Sequence, residues 1–399
     1  MNRNVNLPTL EIILSSSMQD LKQPESAAEL AEVLGAESAA GHRVELGGRF
    51  TKTRWGGPIG ESDTRVSTAR MTKVLEYEPR DLTISVEAGM PYAELTALLA
   101  TNKQMVPLDP PYAGSATVGG VLAANQSGPR RRLFGTGRDL VIGVQFATMA
   151  GKLVQAGGMV VKNVAGLDMG KLMIGSWGTL AAIATVNFKL IPQDKVRRTF
   201  LQTFDSPTEA LAERSRIVQS VLQPAAVDLL NPAAAAKVGK QGWVLAVGTG
   251  GSQALVDRYS REVPTAEALE GEAERAFWNG VENFAENWLV ENADGAVVRA
   301  STALQDLAAA IAGHDEPVIA RAANGVAYLY HAMAPKGLGK PDKFWPAPGA
   351  HLVMEAGPAD RAGLTQWAEP ASGFEVMEKI KQMLDPRNLL NKGRLYGRI

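Results

Sequence analysis

The chain of 399 residues contains no cysteine. Disulfides, thiolate nucleophiles, cysteine-ligated zinc and iron–sulfur clusters therefore lie outside its own chemistry. Histidine is scarce: His42, His314, His331 and His351 are scattered, without the H-x-H or H-E-x-x-H spacing of a metal site, and no metal is expected. Neither sign of charge dominates, because 41 basic and 42 acidic residues leave a formal charge of -1; nothing marks the chain for nucleic acid or an anionic membrane. Long apolar runs are missing as well. Leu10, Ile12, Ile13 and Leu14 form a patch that Glu11 interrupts and no basic leader precedes, and no stretch approaches the ~20 apolar residues of a spanning helix. The expectation is a cytoplasmic protein, peripheral to a membrane only through partners. There is no Ser-His-Asp set and no P-loop, and Gly248-Thr249-Gly250-Gly251 lacks the spacing of a nicotinamide fingerprint.

What is plentiful is glycine, 40 residues of it, concentrated in function-like fashion between Pro110 and Pro192. There singles and pairs of glycine separate short β-branched runs, so the backbone turns where a Cβ would clash and returns to strand. The result is a surface of bare main chain, suited to a ligand with phosphates and a flat ring. Around this stretch the length allows two or three folding units.

In chain order, Ser26-Ala27-Ala28-Glu29 reads as a capping box opening a helix over 27–40. Strands follow at 43–46, 64–68 and 73–77, and 82–88 alternates apolar and polar strictly, the mark of a strand with one buried face. Pro91 starts a helix carrying Tyr92, Leu95 and Leu98 or Leu99 on one side. After Arg197 the texture changes: Ser206-Pro207-Thr208-Glu209 caps another helix, and strands are expected at 243–247, 296–300, 318–321, 326–330 and 351–355, giving an antiparallel sheet with helices between its strands. A last helix runs through Phe374, Met377, Ile380 and Met383.

Five ordered motifs lie in the glycine-rich stretch: Thr117, Gly119 and Gly120; Ala124-Asn125 with Ser127-Gly128; Phe134 to Asp139; Lys162-Asn163; and Gly175 to Leu180. Together they resemble the flavin-binding half of the vanillyl-alcohol-oxidase/PCMH superfamily, most nearly the FAD-binding subunits of bacterial glycolate oxidases. The end of the chain, Asp385-Pro386 through Leu390-Asn391-Lys392-Gly393-Arg394, resembles that family's closing tail, with Lys392 in place of the usual proline. The resemblance implies an α+β fold in three parts: a PCMH-type FAD-binding domain over 1–192 (subdomains about 1–78 and 79–192), an α+β cap with an antiparallel sheet over 193–370, and a C-terminal helix and tail over 371–399 that returns to the flavin domain.

It also implies a site. Gly47, Gly48, Arg49, Phe50, Thr51 and Lys52 fall where the family places its first pyrophosphate turn, although that turn is usually richer in glycine. Arg49 and Phe50 stand where small residues are commoner. A non-glycine residue in left-handed geometry costs about 1–2 kcal/mol, so the loop is either redrawn or binds more weakly, and Arg49 either donates to phosphate or faces solvent. Pro110, Ser115, Ala116, Thr117, Gly119 and Gly120 would form the second turn, its amides facing the cofactor. Ala124, Asn125, Ser127 and Gly128 would meet the ring, Asp139 would fix a loop by accepting N–H bonds, and Gly178 and main chain at Ile183 would reach the nucleotide. Lys162 either offsets charge on the reduced ring or forms a structural ion pair. The covalent members of the superfamily attach flavin through histidine or cysteine here, and this loop has neither, so FAD would be non-covalent.

The function so implied is that of an FAD-binding subunit of a glycolate-oxidase-like, multi-subunit 2-hydroxy-acid dehydrogenase, with a catalytic flavoprotein sister subunit and an iron–sulfur subunit as partners. Two alternatives remain open: a self-sufficient FAD-dependent 2-hydroxy-acid dehydrogenase, and a flavin-free assembly subunit. No catalytic base stands out. His331 and His351 read as satisfied structural histidines, Arg321 is at most a carboxylate clamp, and Arg130, Arg131 and Arg132 read as a solvated loop in preference to a substrate-carboxylate or partner site.

Overall fold

The computed structural model describes residues 20–159, 168–263, 267–336, 350–361, 364–367, 370 and 372–399. Its first helix, Ala27–Ala40, begins where the Ser26 hydroxyl accepts the Glu29 N–H and ends at Gly41, whose φ of 80° lets its N–H turn back to the last carbonyls. Leu30, Ala31 and Leu34 point inward. They share a core with Val44 and Val66 of a small parallel sheet, with Ala182 and Ala184 of the next sheet, and with Leu389 and Leu390 from the far end of the chain. The parallel sheet has Thr64–Ser67 between Asp20–Lys22 and Val44–Gly47.

A five-stranded antiparallel sheet follows, ordered Val74–Glu78, Thr83–Glu87, Ala182–Lys189, Val141–Ala147, Leu153–Gly157. Alternation in 82–88 predicted one wet face, but all five residues Thr83–Glu87 are buried. This strand is an inner one, paired on both sides. Ile84 and Val86 enter the core beneath the helices Tyr92–Ala100 and Val118–Ala123, while Glu87 on the polar side accepts the Lys73 N–H at 2.8 Å. The short helix Val118–Ala123 is capped by Thr117, whose hydroxyl accepts the Gly120 N–H.

The third unit is an eight-stranded antiparallel sheet in the order Glu267–Glu270, Val196–Phe204, Trp243–Gly251, Ala226–Leu230, Val318–Arg321, Val326–His331, Ala296–Ser301, His351–Ala356. Trp243–Gly251 runs beyond the expected end at Val247 because its full length pairs with Val196–Phe204; the ladder's hydrogen bonds override the local turn signal of its glycines. Alternate strand residues enter two cores. Leu245 and Val247 face the helices Pro207–Gln219 and Gln253–Glu262, whereas Val244 and Ala246 face Gly271–Glu282 and Phe284–Glu291.

The last helix, Phe374–Leu384, leads into a tail held by a buried ion pair. Lys381 Nζ bonds to Asp385 at 2.7 Å and donates to the carbonyls of Thr179 and Leu390, while Asp385 accepts the N–H groups of Leu389 and Leu390. Val44 donates to the Leu389 carbonyl and Asn391 donates to that of Val44, so the tail docks on the small parallel sheet. The α+β architecture with a returning tail is the expected one.

Candidate functional site

Two turns far apart in sequence close one narrow cleft of about 90 Å³, with Trp177, Gly178, Ile183, Asn391 and Arg394 on its other walls. The first turn runs from Gly47 to Lys52 and the second carries Thr117, Gly119 and Gly120. They touch where Gly48 meets Thr117: a Cβ on Gly48 would lie 2.1 Å from the threonine hydroxyl, so only glycine permits this approach.

The strain expected of the first turn falls on one residue. Phe50 has φ 53°, in the left-handed region, while Arg49 is not among the positive-φ residues and its side chain is exposed. The Phe50 ring is held under the Arg65 guanidinium, 4.0 Å from the ring centre, and Arg65 is itself fixed by Glu45 at 2.9 Å. Among the described residues no hydrogen bond engages the main-chain N–H groups of Gly48, Arg49, Phe50 or Thr51.

The second turn is different. Ser115 and Ala116 donate their N–H groups to the Tyr112 carbonyl, Val118 to Met90, Gly119 to Ala88, and Gly120 to the Thr117 hydroxyl. The expectation that these amides face a ligand is therefore corrected: the carbonyls of neighbouring turns and the helix cap consume them, because buried N–H groups take the nearest acceptor. The second turn shapes the cleft while the first turn keeps donors free.

Two buried cations complete the cleft. Lys52 Nζ is fully buried without a hydrogen-bond partner. Burial pushes this ammonium down to about 7, against a weaker pull from the Glu286 carboxylate. Arg394 donates to the carbonyls of Lys52, Trp55 and Gly57, its Nε has no partner, and burial lowers it to about 10. Free N–H groups, an unpaired ammonium and an unpaired guanidinium nitrogen form a set that calls for a polyanion. The diphosphate of FAD fits that set, with Gly48 admitting close approach.

The cleft shares Ala124 and Trp177 with a second cavity of about 490 Å³. One wall is Asn125 to Gly128 with Gly175, and the cap wall includes Glu282, Arg299, Arg321, Tyr328, Tyr330 and Glu355. Asn125 takes φ 49°, which asparagine tolerates better than most residues. Both amide atoms of Gln126 and the Ser127 hydroxyl are buried without partners. Arg299 pairs with Glu355 at 2.5 Å, and Arg321 pairs with the buried Asp228. The segment between the two spaces is clamped: Arg54 donates to the carbonyls of Leu289, Ala293, Gly295 and Gly357 in the cap, and Arg361 returns to those of Thr53 and Gly56.

The structure thus brings Gly47 to Lys52, Thr117, Gly119, Gly120, Gly178 and Ile183 to the cleft, Ala124 to both spaces, and Asn125, Ser127 and Gly128 to the second cavity. Pro110, Ser115, Ala116 and Asp139 line neither space. Ala116 is core, and the Asp139 carboxylate accepts the Thr136 N–H, fixing the loop by capping the short helix Gly137–Leu140. Lys162 lies outside the described residues. The basic run is not a solvated loop: Arg130 pairs bidentately with buried Asp109, Arg132 donates to the Pro224 carbonyl, and Arg131 lines the second cavity. Each finds an acceptor or a cavity because the cap folds over them. Trp177, Asn391 and Arg394 escaped the sequence reading as site residues. The G-R of the closing tail was a visible signal for Arg394, but nothing local shows that the tail reaches a turn at the other end of the chain.

The fold and cleft define an FAD-binding domain of PCMH type with an FAD-oxidase C-terminal segment. Residues 20–157 match the FAD binding domain model and residues 360–395 the C-terminal domain model of FAD linked oxidases; FAD is the cofactor. Among relatives, a glycolate oxidase subunit (GlcE) of Escherichia coli is 38% identical over 38% of this chain and 42% of its own length. An uncharacterised FAD-linked oxidoreductase of Mycobacterium tuberculosis is 26% identical over 94% of this chain and 90% of its own. A D-2-hydroxyglutarate dehydrogenase of Xanthomonas citri is 30% identical over 46% of this chain and 39% of that protein. The chain thus spans less than half the length of the glycolate oxidase subunit and of the dehydrogenase in these matches. Among solved structures, alkyldihydroxyacetonephosphate synthase superposes with a TM-score of 0.66 at 17% identity, over 93% of this chain and 75% of that one, which shows the shared fold.

Among the described residues no helix is long and apolar enough to cross a membrane, and no group of three or more acidic or histidine side chains could hold a metal.

Proposed function

We propose that this chain is an FAD-dependent oxidoreductase of small 2-hydroxy acids, working as the FAD-binding subunit of a glycolate-oxidase-like complex. The observation that carries the reading is the cleft between Gly48 and Thr117, with Lys52 unpaired inside it, opening past Ala124 and Trp177 into a second cavity. Lys52, Arg394 and the free N–H groups of residues 48–51 hold the diphosphate, and the ring end lies toward Asn125 and Ser127. Bound flavin supplies the acceptor for the hydride of the substrate's carbinol carbon. The chain's own residues bind, orient and exclude water. Having no cysteine, it hands electrons to an iron–sulfur partner, and a catalytic flavoprotein sister is the second partner. Support for the substrate class comes from the glycolate oxidase and hydroxyglutarate dehydrogenase relatives.

A second reading, that the chain performs the oxidation alone, is favoured by the unpaired polar groups of the second cavity. The test is to purify the chain, record its visible spectrum, and add glycolate or D-lactate without oxygen. A yellow chain that does not bleach supports the subunit, bleaching supports the self-sufficient enzyme, and a chain left colourless after added FAD overturns both.

A further inference from the structure

The second cavity has a wall that the cofactor reading leaves unused. Glu282, the last residue of the helix Gly271–Glu282, lines it with no hydrogen-bond partner among the described residues. Across the same space, Arg299 is neutralised by Glu355 and Arg321 by Asp228, and the neighbouring Arg130 by Asp109. Arg131 lines the cavity with no acid or carbonyl partner for its side chain among the described residues. Arg321 Nε and the Gln126 amide are buried and unpaired. With Glu282 uncharged, these paired groups leave one net positive charge, that of Arg131, whose attraction offsets the cost of desolvating one bound negative charge.

We propose that this cavity binds a monocarboxylate, with Arg131 as its counter-charge, and that Glu282 is the catalytic residue that accepts the hydroxyl proton of a 2-hydroxy acid held there. The inference rests on the flavin reading for its oxidation step only, and there on the second reading, in which this chain performs the oxidation itself; a yellow wild type that binds glycolate without bleaching therefore removes Glu282 as the base. In that step the O–H bond breaks with its proton passing to a Glu282 carboxylate oxygen, and the C–H bond breaks with its hydride passing to FAD. The hydroxy acid becomes a 2-oxo acid, and both electrons leave with the hydride.

The surroundings suit Glu282 to the role. Burial pushes its carboxyl up to about 8, the Asp109 carboxylate adds to the rise, and Arg130, Arg197 and Arg321 oppose it; Asp194 and Glu274 are the further acids in the small pocket behind it. A base that titrates near the working pH is what proton abstraction favours. Bound carboxylate would hold Glu282 protonated to still higher pH, so affinity for the anion falls as pH rises through about 8, while bleaching, which needs the ionised carboxylate as base, speeds up over the same range.

The test uses the full chain as purified, with glycolate as probe, measuring its dissociation constant by calorimetry from pH 6.5 to 9.5 and, on the FAD-loaded chain, the anaerobic bleaching rate. In the wild type, affinity should fall above pH 8. Arg131→Gln should weaken binding about tenfold or more. Glu282→Gln should keep the pH 7 affinity within about threefold, lose the pH dependence, and slow bleaching by about 100-fold or more; Glu282→Asp should retain the pH dependence, which a merely unfolded variant could not. A wild-type affinity that ignores pH, or one untouched by Arg131→Gln, overturns the proposal, as does unimpaired bleaching in Glu282→Gln. A colourless chain that binds glycolate with the stated pH dependence upholds the carboxylate site and sinks the flavin reading. A yellow chain that binds no glycolate does the reverse.

Discussion

Arg394 donates through Nη1 to the main-chain carbonyl of Lys52 at 3.2 Å, so the closing tail holds the turn that presents the free N–H groups. The same guanidinium also satisfies the carbonyls of Trp55 and Gly57. The first turn is thus held in this shape in part by the chain's far end.

Replacing Arg394 by alanine takes the side-chain donor from the Trp55 and Gly57 carbonyls, while that of Lys52 keeps only the Trp55 N–H. The expected loss is about 3 kcal/mol of stability together with loss of bound FAD. Lysine, lacking the planar fork, should rescue little. Denaturant unfolding and flavin content check both; a stability within about 0.5 kcal/mol of wild type with flavin retained would refute the role.

Lys52 gives a pH signature. Its folded value lies near 7, below the ordinary lysine value of 10.5, so between those limits the unfolded chain binds more protons and stability of the flavin-free protein rises with pH. An anion bound beside Lys52 restores its charge. FAD affinity should then weaken as pH rises above 7, and Lys52→Met should bind FAD about tenfold more weakly at pH 6.5 and lose that slope. Titration of the flavin fluorescence at several pH values measures it.

Gly48→Ala drives a methyl into Thr117. Overpacking of this kind costs about 1–3 kcal/mol, and it should displace the turn and lower flavin occupancy. Thr117→Ala alone removes the cap on Val118–Ala123 at a cost of about 1 kcal/mol and leaves the turn free to bind. Paired thermal melts and cofactor content separate the two effects.

Asp109 is buried and bidentate to Arg130. Burial raises its carboxyl, but the guanidinium more than offsets this and holds it below the ordinary value of 3.8. Its contribution is therefore present above the ordinary carboxylate range and is lost as pH falls through the lowered value. Asp109→Ala should cost about 3–5 kcal/mol, because it strands Arg130 without a partner. An acid-unfolding midpoint unchanged in the variant would contradict this account.

The parts of the fold set by near-neighbour chemistry were legible. Ser26 and Ser206 announced their helices because a cap hydroxyl and the N–H it accepts sit three residues apart. The strand spans from Ala296 to Ala356 were close because short runs rich in Val, Ile and Tyr mark strands locally. The buried polar face of Thr83–Glu87 and the extension of Trp243–Gly251 were not, since both depend on which strands lie alongside. Arg130 to Arg132 looked like a solvated run for want of any view of Asp109, Pro224 and the cavity.

By itself the sequence determined the chemistry on offer: no thiol, glycine turns that bare the main chain, and a flavin-type order of motifs. Tertiary structure alone decided which turn keeps its amides. The N–H groups of Ser115, Ala116 and Val118 to Gly120 are spent on the turns and cap beside them, those of Gly48 to Thr51 are spared, and two cations from opposite ends of the chain are buried together without a counter-ion. Hydrogen-bond competition and desolvation are settled by neighbours in space, and no reading along the chain supplies those neighbours.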